Sequence, residues 1–143
     1  MRTASLFPVC FVIGCAVDSV GTDGGSADLD LADALWAELD GYATWAYPAG
    51  WTDVPAQSAD HSNNYVTAHF NDTLDGWDAA VSAPEGSIAV KVAFEDETGS
   101  AVKAFTVMQK VAGYDAENGD WFWANYEADG TLGSVGQVSG CSG

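Results

Sequence analysis

Lys91 is the residue in this chain whose type and setting most invite chemistry. It lies within Ser87-Ile88-Ala89-Val90-Lys91-Val92-Ala93-Phe94, where Ile88, Val90, Val92 and Phe94 take every second position. A period of two marks a β-strand, so the opposite face of that strand carries Ala89, Lys91 and Ala93. Two readings follow. Lys91 is a solvent-facing cation on an ordinary amphipathic strand, or the two alanines leave room for a flat ligand that the lysine touches. The strand pattern alone does not choose between them.

The next candidate is Cys141, in Gly140-Cys141-Ser142-Gly143. Cys-x-x-Cys-His is the attachment motif of a c-type haem, in which two thiols bind the vinyl groups and the histidine ligates iron. Cys141-Ser142-Gly143 supplies only its first three positions. Other chemistries fare worse. His61 lies in the polar stretch Asp60-His61-Ser62-Asn63-Asn64, and His69 in the alternating stretch Tyr65-Val66-Thr67-Ala68-His69-Phe70. Neither has a cysteine or a second histidine at ligand spacing. Asn71-Asp72-Thr73-Leu74-Asp75-Gly76 faintly suggests a calcium loop, but Ser82 stands where the bidentate Glu belongs. Asp115-Ala116-Glu117-Asn118-Gly119-Asp120 reads as a polar turn. There is no Gly-x-Ser-x-Gly nucleophile elbow and no phosphate-cradling glycine loop.

Composition narrows the class. The 143 residues suffice for one domain, and 48% hydrophobic content can bury a core. Four Lys and Arg stand against 21 Asp and Glu, a formal charge of −17. Nucleic acid and anionic lipid both need clustered cations, so neither is an expected partner. The N-terminus has the layout of an export signal: Arg2, then the apolar run Leu6 to Ile13, then small residues. Val12-Ile13-Gly14-Cys15 resembles a bacterial lipobox, with Cys15 as the acylated residue of the mature chain. The expected organisation is a lipoprotein signal over 1–14, a Gly/Ser/Asp-rich flexible stalk over 15–28, and one domain over 29–143. The expected location is periplasmic or outer-membrane, held to the membrane only through the lipid anchor.

Several elements must position the candidates. Ser26 or Asp28 can cap a helix running to about Leu39, with Leu31, Leu35 and Leu39 at helical spacing, and Gly41 ends it. Leu74, Trp77 and Val81 predict a second helix over Thr73–Val81. Strands are expected over Tyr65–Phe70, Ser87–Phe94, Val102–Val111 and Asp120–Tyr126. The short later connections favour antiparallel pairing. The expected fold class is α+β, a mainly antiparallel β-sheet with a few packed helices.

In order along the chain stand Pro84-Glu85-Gly86-Ser87-Ile88-Ala89-Val90-Lys91, Thr106-Val107-Met108-Gln109-Lys110, Gly113-Tyr114-Asp115 and Asn118-Gly119-Asp120-Trp121-Phe122-Trp123, followed at family spacing by Cys141. From about Leu39 to Cys141 the chain resembles the cytochrome P-460 family, which includes the cytochromes c′-β. The resemblance implies a cytochrome P-460-like fold, commonly homodimeric, holding haem c against one sheet face. It implies Cys141 as an attachment thiol, with Ala89, Lys91, Ala93 and Phe105 around the haem. In members that oxidise hydroxylamine a strand lysine is cross-linked to the haem, and Lys91 matches that position. Members of the c′-β kind bind nitric oxide and similar gases in an apolar distal pocket, which Phe105 would favour.

The second thiol and the axial histidine of the motif are absent from these residues, so the chain is either incomplete within the motif or a haem-free relative. The first is the expectation. The leading reading is an exported, lipid-anchored c-type haem domain engaged in redox chemistry or gas binding with small nitrogen compounds, with an electron-transfer partner. Whether it is an oxidoreductase of the hydroxylamine-oxidising type stays open. The alternative is a haem-free binding or structural lipoprotein.

Overall fold

The computed structural model describes residues 25–58 and 64–136. The lipobox with Cys15, the expected signal, His61 and Cys141 lie outside them, as does all of the expected stalk before Gly25.

One α-helix and six strands make the fold. Helix α1 spans Ser26–Glu38 and starts inside the stretch expected to be stalk. Its N-cap is Gly25, with no side-chain cap, rather than Ser26 or Asp28. Ala32, Leu35 and Leu39 are the residues it buries, at the three- and four-residue spacing that puts side chains on one helix face. Leu39 closes the helix and Gly41, at φ +102°, turns the chain away.

The strands are β1 (Ala56–Gln57), β2 (Tyr65–Phe70), β3 (Ile88–Phe94), β4 (Val102–Lys110), β5 (Trp121–Glu127) and β6 (Leu132–Gly136). They form one antiparallel sheet in the order β1-β2-β3-β4-β5-β6. Four of them follow the alternation in the sequence; β1 and β6 carry too little pattern to be anticipated. Ile88, Val90, Val92 and Phe94 of β3 join Phe105, Val107, Phe122, Ala124 and Tyr126 in the main core, against Ala32, Leu35 and Leu39 of α1. No helix among the described residues is long and apolar enough to cross a membrane.

The expectation of a few packed helices is overturned. Thr73–Val81 is a run of turns, and the architecture is a six-stranded antiparallel sheet with a single α-helix. Leu74 and Trp77 close three-residue turns onto Asn71 and Leu74, and Gly76 takes the left-handed region at φ +69°. Asp78 then accepts from the Ala80 N–H at 2.9 Å. Asx side chains that bond nearby backbone compete with helix formation, and a left-handed residue ends it. Val81, expected on the apolar side, is 59% exposed.

Two contacts tie α1 to the sheet. The Tyr126 hydroxyl donates to the Ala32 carbonyl at 2.7 Å, and burial pushes that phenol well above its ordinary pKa. The Trp36 ring lies 4.9 Å from Tyr126 and 5.5 Å from Phe105, centroid to centroid. Gly130, in the turn between β5 and β6, lies directly beneath Trp36. A Cβ there would fall 2.7 Å from two indole carbons, and its φ of +89° already excludes most side chains. Gly130→Ala is expected to lower stability by roughly 2–4 kcal/mol, combining overpacking with left-handed strain. A urea melt followed by tryptophan fluorescence measures it.

Candidate functional site

Residues directly opposite one another on paired strands point to the same side of a sheet. Lys91 pairs with Ala68 on β2 and Thr106 on β4; Thr106 pairs with Asn125 on β5, and Asn125 with Ser134 on β6. These five side chains therefore form one row on the face turned away from α1. Four of the five are polar, which no single strand reveals.

Lys91 is only 3% exposed. The solvent-facing reading of this lysine is therefore corrected: it stands within the protein, near the middle of the sheet. Next to it, Asn125 Nδ2 donates to Thr106 Oγ1 at 3.0 Å and to the Phe105 carbonyl at 3.1 Å. The Thr106 oxygen is thus an acceptor, and its own O–H is left to donate. Gly133 makes room for that arrangement, since a Cβ there would lie 3.0 Å from Asn125 Oδ1.

The two alanines beside Lys91 have different fates. Ala89 is buried in a second apolar cluster with Leu74 and Ala83, and Phe70, Trp77, Met108 and Trp121 pack against it. The room expected over Ala89 is filled by the 71–87 segment. Ala93 is only half-buried, and its partner across β4 is the equally small, half-buried Ala104. On this face the Ala93–Ala104 pair is the less covered side of the lysine, bordered by buried Val66.

Phe105 does not share that space. It pairs with Val92, faces α1, and packs its ring edge-on against Trp36 and Tyr42. Its expected place in a distal pocket beside Lys91 is corrected by a single step in register: Ala104 and Thr106 face Lys91, and Phe105 faces the core. The argument it offered for an apolar distal pocket goes with it.

His69 also sits on the α1 face, 5% exposed, with Nε2 3.1 Å from Thr67 Oγ1. It cannot approach anything that Lys91 touches. Its surroundings went unread in the sequence: the rings of Tyr42 and Tyr47 lie 5.3 and 4.9 Å from the imidazole. Among the described residues no group of three or more His, Cys, Asp or Glu gathers as a metal site.

Of the described side chains able to ligate a haem iron, Met108, paired with Ala89, and Lys91 itself lie on this face, whereas His69 lies on the other.

The stretch that resembled a calcium loop has another use. Asn71 Oδ1 accepts from the N–H groups of Leu74 (3.2 Å) and Ile88 (3.0 Å), and Nδ2 donates to the Gly86 carbonyl at 3.0 Å. One side chain thereby pins both ends of the segment that covers Ala89. No protein-family model matches this chain, and no curated protein matches it. Asn71→Ala is expected to remove roughly 2–4 kcal/mol of stability, from three lost hydrogen bonds and the backbone groups left behind. Amide exchange should show the Ile88 N–H losing protection before the centre of β3 does.

Proposed function

We propose that this chain is an exported, lipid-anchored c-type haem domain that binds or transforms small nitrogen compounds, with the haem on the sheet face bearing Lys91. The observation that carries the reading is a buried lysine beside small side chains, with the half-buried Ala93–Ala104 strip to one side and the Thr106 hydroxyl opposite. The resemblance of the ordered sequence blocks to the cytochrome P-460 family supports it. The haem would supply an iron that changes oxidation state or binds a small gas.

Within this reading the chain's own groups do the following. Lys91 would be among the residues that hold the haem, in the place of the lysine that is cross-linked in hydroxylamine-oxidising members of the family it resembles. Thr106, held by Asn125, offers an O–H to whatever oxygen or nitrogen lies across from the lysine. Leu74 and Ala83 close the Ala89 side and exclude water there. That same closure favours the second reading, a haem-free binding or structural lipoprotein that keeps the lysine buried for packing alone.

The two readings separate in one experiment. The gene's full-length product, made in cells with c-type haem maturation, is expected to show a Soret band that survives denaturation. A product without that band would overturn the haem reading in favour of the second. In haem-loaded protein, Lys91→Ala is expected to move the Soret maximum by several nanometres, and an unchanged spectrum would exclude the cross-link.

A further inference from the structure

His69 is a buried titratable group that the Lys91 face does not use. It is enclosed by one segment of chain, running from Gly41 at φ +102° to Gly50 at φ +85°. The segment begins with a 3₁₀ turn over Tyr42–Thr44 and is fastened to the sheet by one antiparallel bridge. Ala46 N–H donates to the Phe70 carbonyl at 3.1 Å, and Phe70 N–H to the Ala46 carbonyl at 2.8 Å. Its other fastenings are aromatic: Tyr42 stands edge-on to the His69 ring and to Phe105, Trp45 packs on the main core, and Tyr47 lies tilted over His69.

Every group facing the imidazole can be named. Thr67 comes from its own strand, Val90 stands beside it on β3, and Tyr42 and Tyr47 come from the strap. The Trp45 carbonyl lies near enough to favour a proton, but Nδ1 makes no bond of hydrogen-bonding geometry. No carboxylate among the described residues pairs with the ring. A charge placed there would be poorly solvated and without a counter-ion. Tyr47 is 38% exposed, so its end of the strap can leave the imidazole without unpacking the main core.

We propose that the Gly41–Gly50 segment is an acid-released strap, held shut by neutral His69 and lifted when that ring takes a proton. The linkage has a definite sign. Burial holds the imidazole below its ordinary value. Closure is therefore favoured above about pH 6.5, where the freed ring is also neutral, and weakens as pH falls below it. At pH 5 the opening equilibrium is raised by up to about thirtyfold, the charged-to-neutral ratio of a free imidazole there. This inference is independent of the haem reading.

Amide exchange of the chain, followed by NMR from about pH 7.5 to about pH 5 and divided by the intrinsic rate at each pH, tests it. The expected result is a loss of protection of up to about thirtyfold at Ala46 and Phe70, with Val90 and Val107 unchanged. His69→Phe, which keeps an aromatic ring there, should abolish that loss. Flat protection at Ala46 and Phe70 would overturn the proposal. So would a parallel fall at Val90 and Val107, which would mean global unfolding, or the same loss in the variant. Should the variant not fold, direct NMR titration of the His69 ring decides: an ordinary or raised pKa overturns the strap, and a lowered one accompanied by the local loss supports it.

Discussion

The structure turns on one constraint: β3 is buried on both faces, and the described residues hold a single α-helix to cover them. Ile88, Val90, Val92 and Phe94 spend that helix. The other face must be closed by irregular backbone, whose N–H and C=O groups find no ladder of their own and need partners from elsewhere. Asn71 supplies them at the two ends of the 71–87 segment. Leu74 and Ala83 then reach the sheet, Ala89 is sealed, and the Ala93–Ala104 side of Lys91 is left the less covered. A second helix would have satisfied its own backbone and covered the face more evenly. The turn-built cover leaves it uneven, and the unevenness is what gives the lysine a direction.

The two faces also differ in kind. On the α1 side the packing is mainly aromatic and aliphatic, with Thr67 and His69 of β2 as its fully buried polar members and Gln109 half-buried between Ile88 and Phe122. On the other side a polar row crosses four strands through Lys91, Thr106, Asn125 and Ser134. Because side chains alternate, neighbours in sequence belong to different environments: Phe105 to the core, Ala104 and Thr106 to the lysine. The Asn125 amide links the two, since it bonds both the Phe105 carbonyl and the Thr106 hydroxyl.

How much of this could be read from the residues follows from which signals are local. The strands Tyr65–Phe70 and Ser87–Phe94 announce themselves because a two-residue period needs no knowledge of the partner strand. Helix α1 does so through Leu31, Leu35 and Leu39. Thr73–Val81 misleads because Leu74, Trp77 and Val81 satisfy helical spacing, whereas Gly76, Asn71 and Asp78 decide the backbone. Phe105 misleads for a different reason: its face depends on cross-strand register, which no single strand encodes. The polar row and the tyrosines around His69 are similarly invisible, since each joins residues far apart in sequence. The burial of Lys91 is legible only as an ambiguity between two faces of one strand. The lipobox and Cys141 stay expectations from sequence, outside the described residues.

The order of strands in the sheet is the order of strands in the chain. Each new strand therefore needs only its immediate predecessor as a template, and no pairing waits for a distant segment. Loop-closure entropy is paid in small instalments rather than in one long closure, the regime in which chains find their native contacts quickly. A polypeptide emerging one end first can build such a sheet by accretion, strand upon strand. The helix made from its earliest described residues then has to wait for the last hairpin before Trp36 can settle over Gly130.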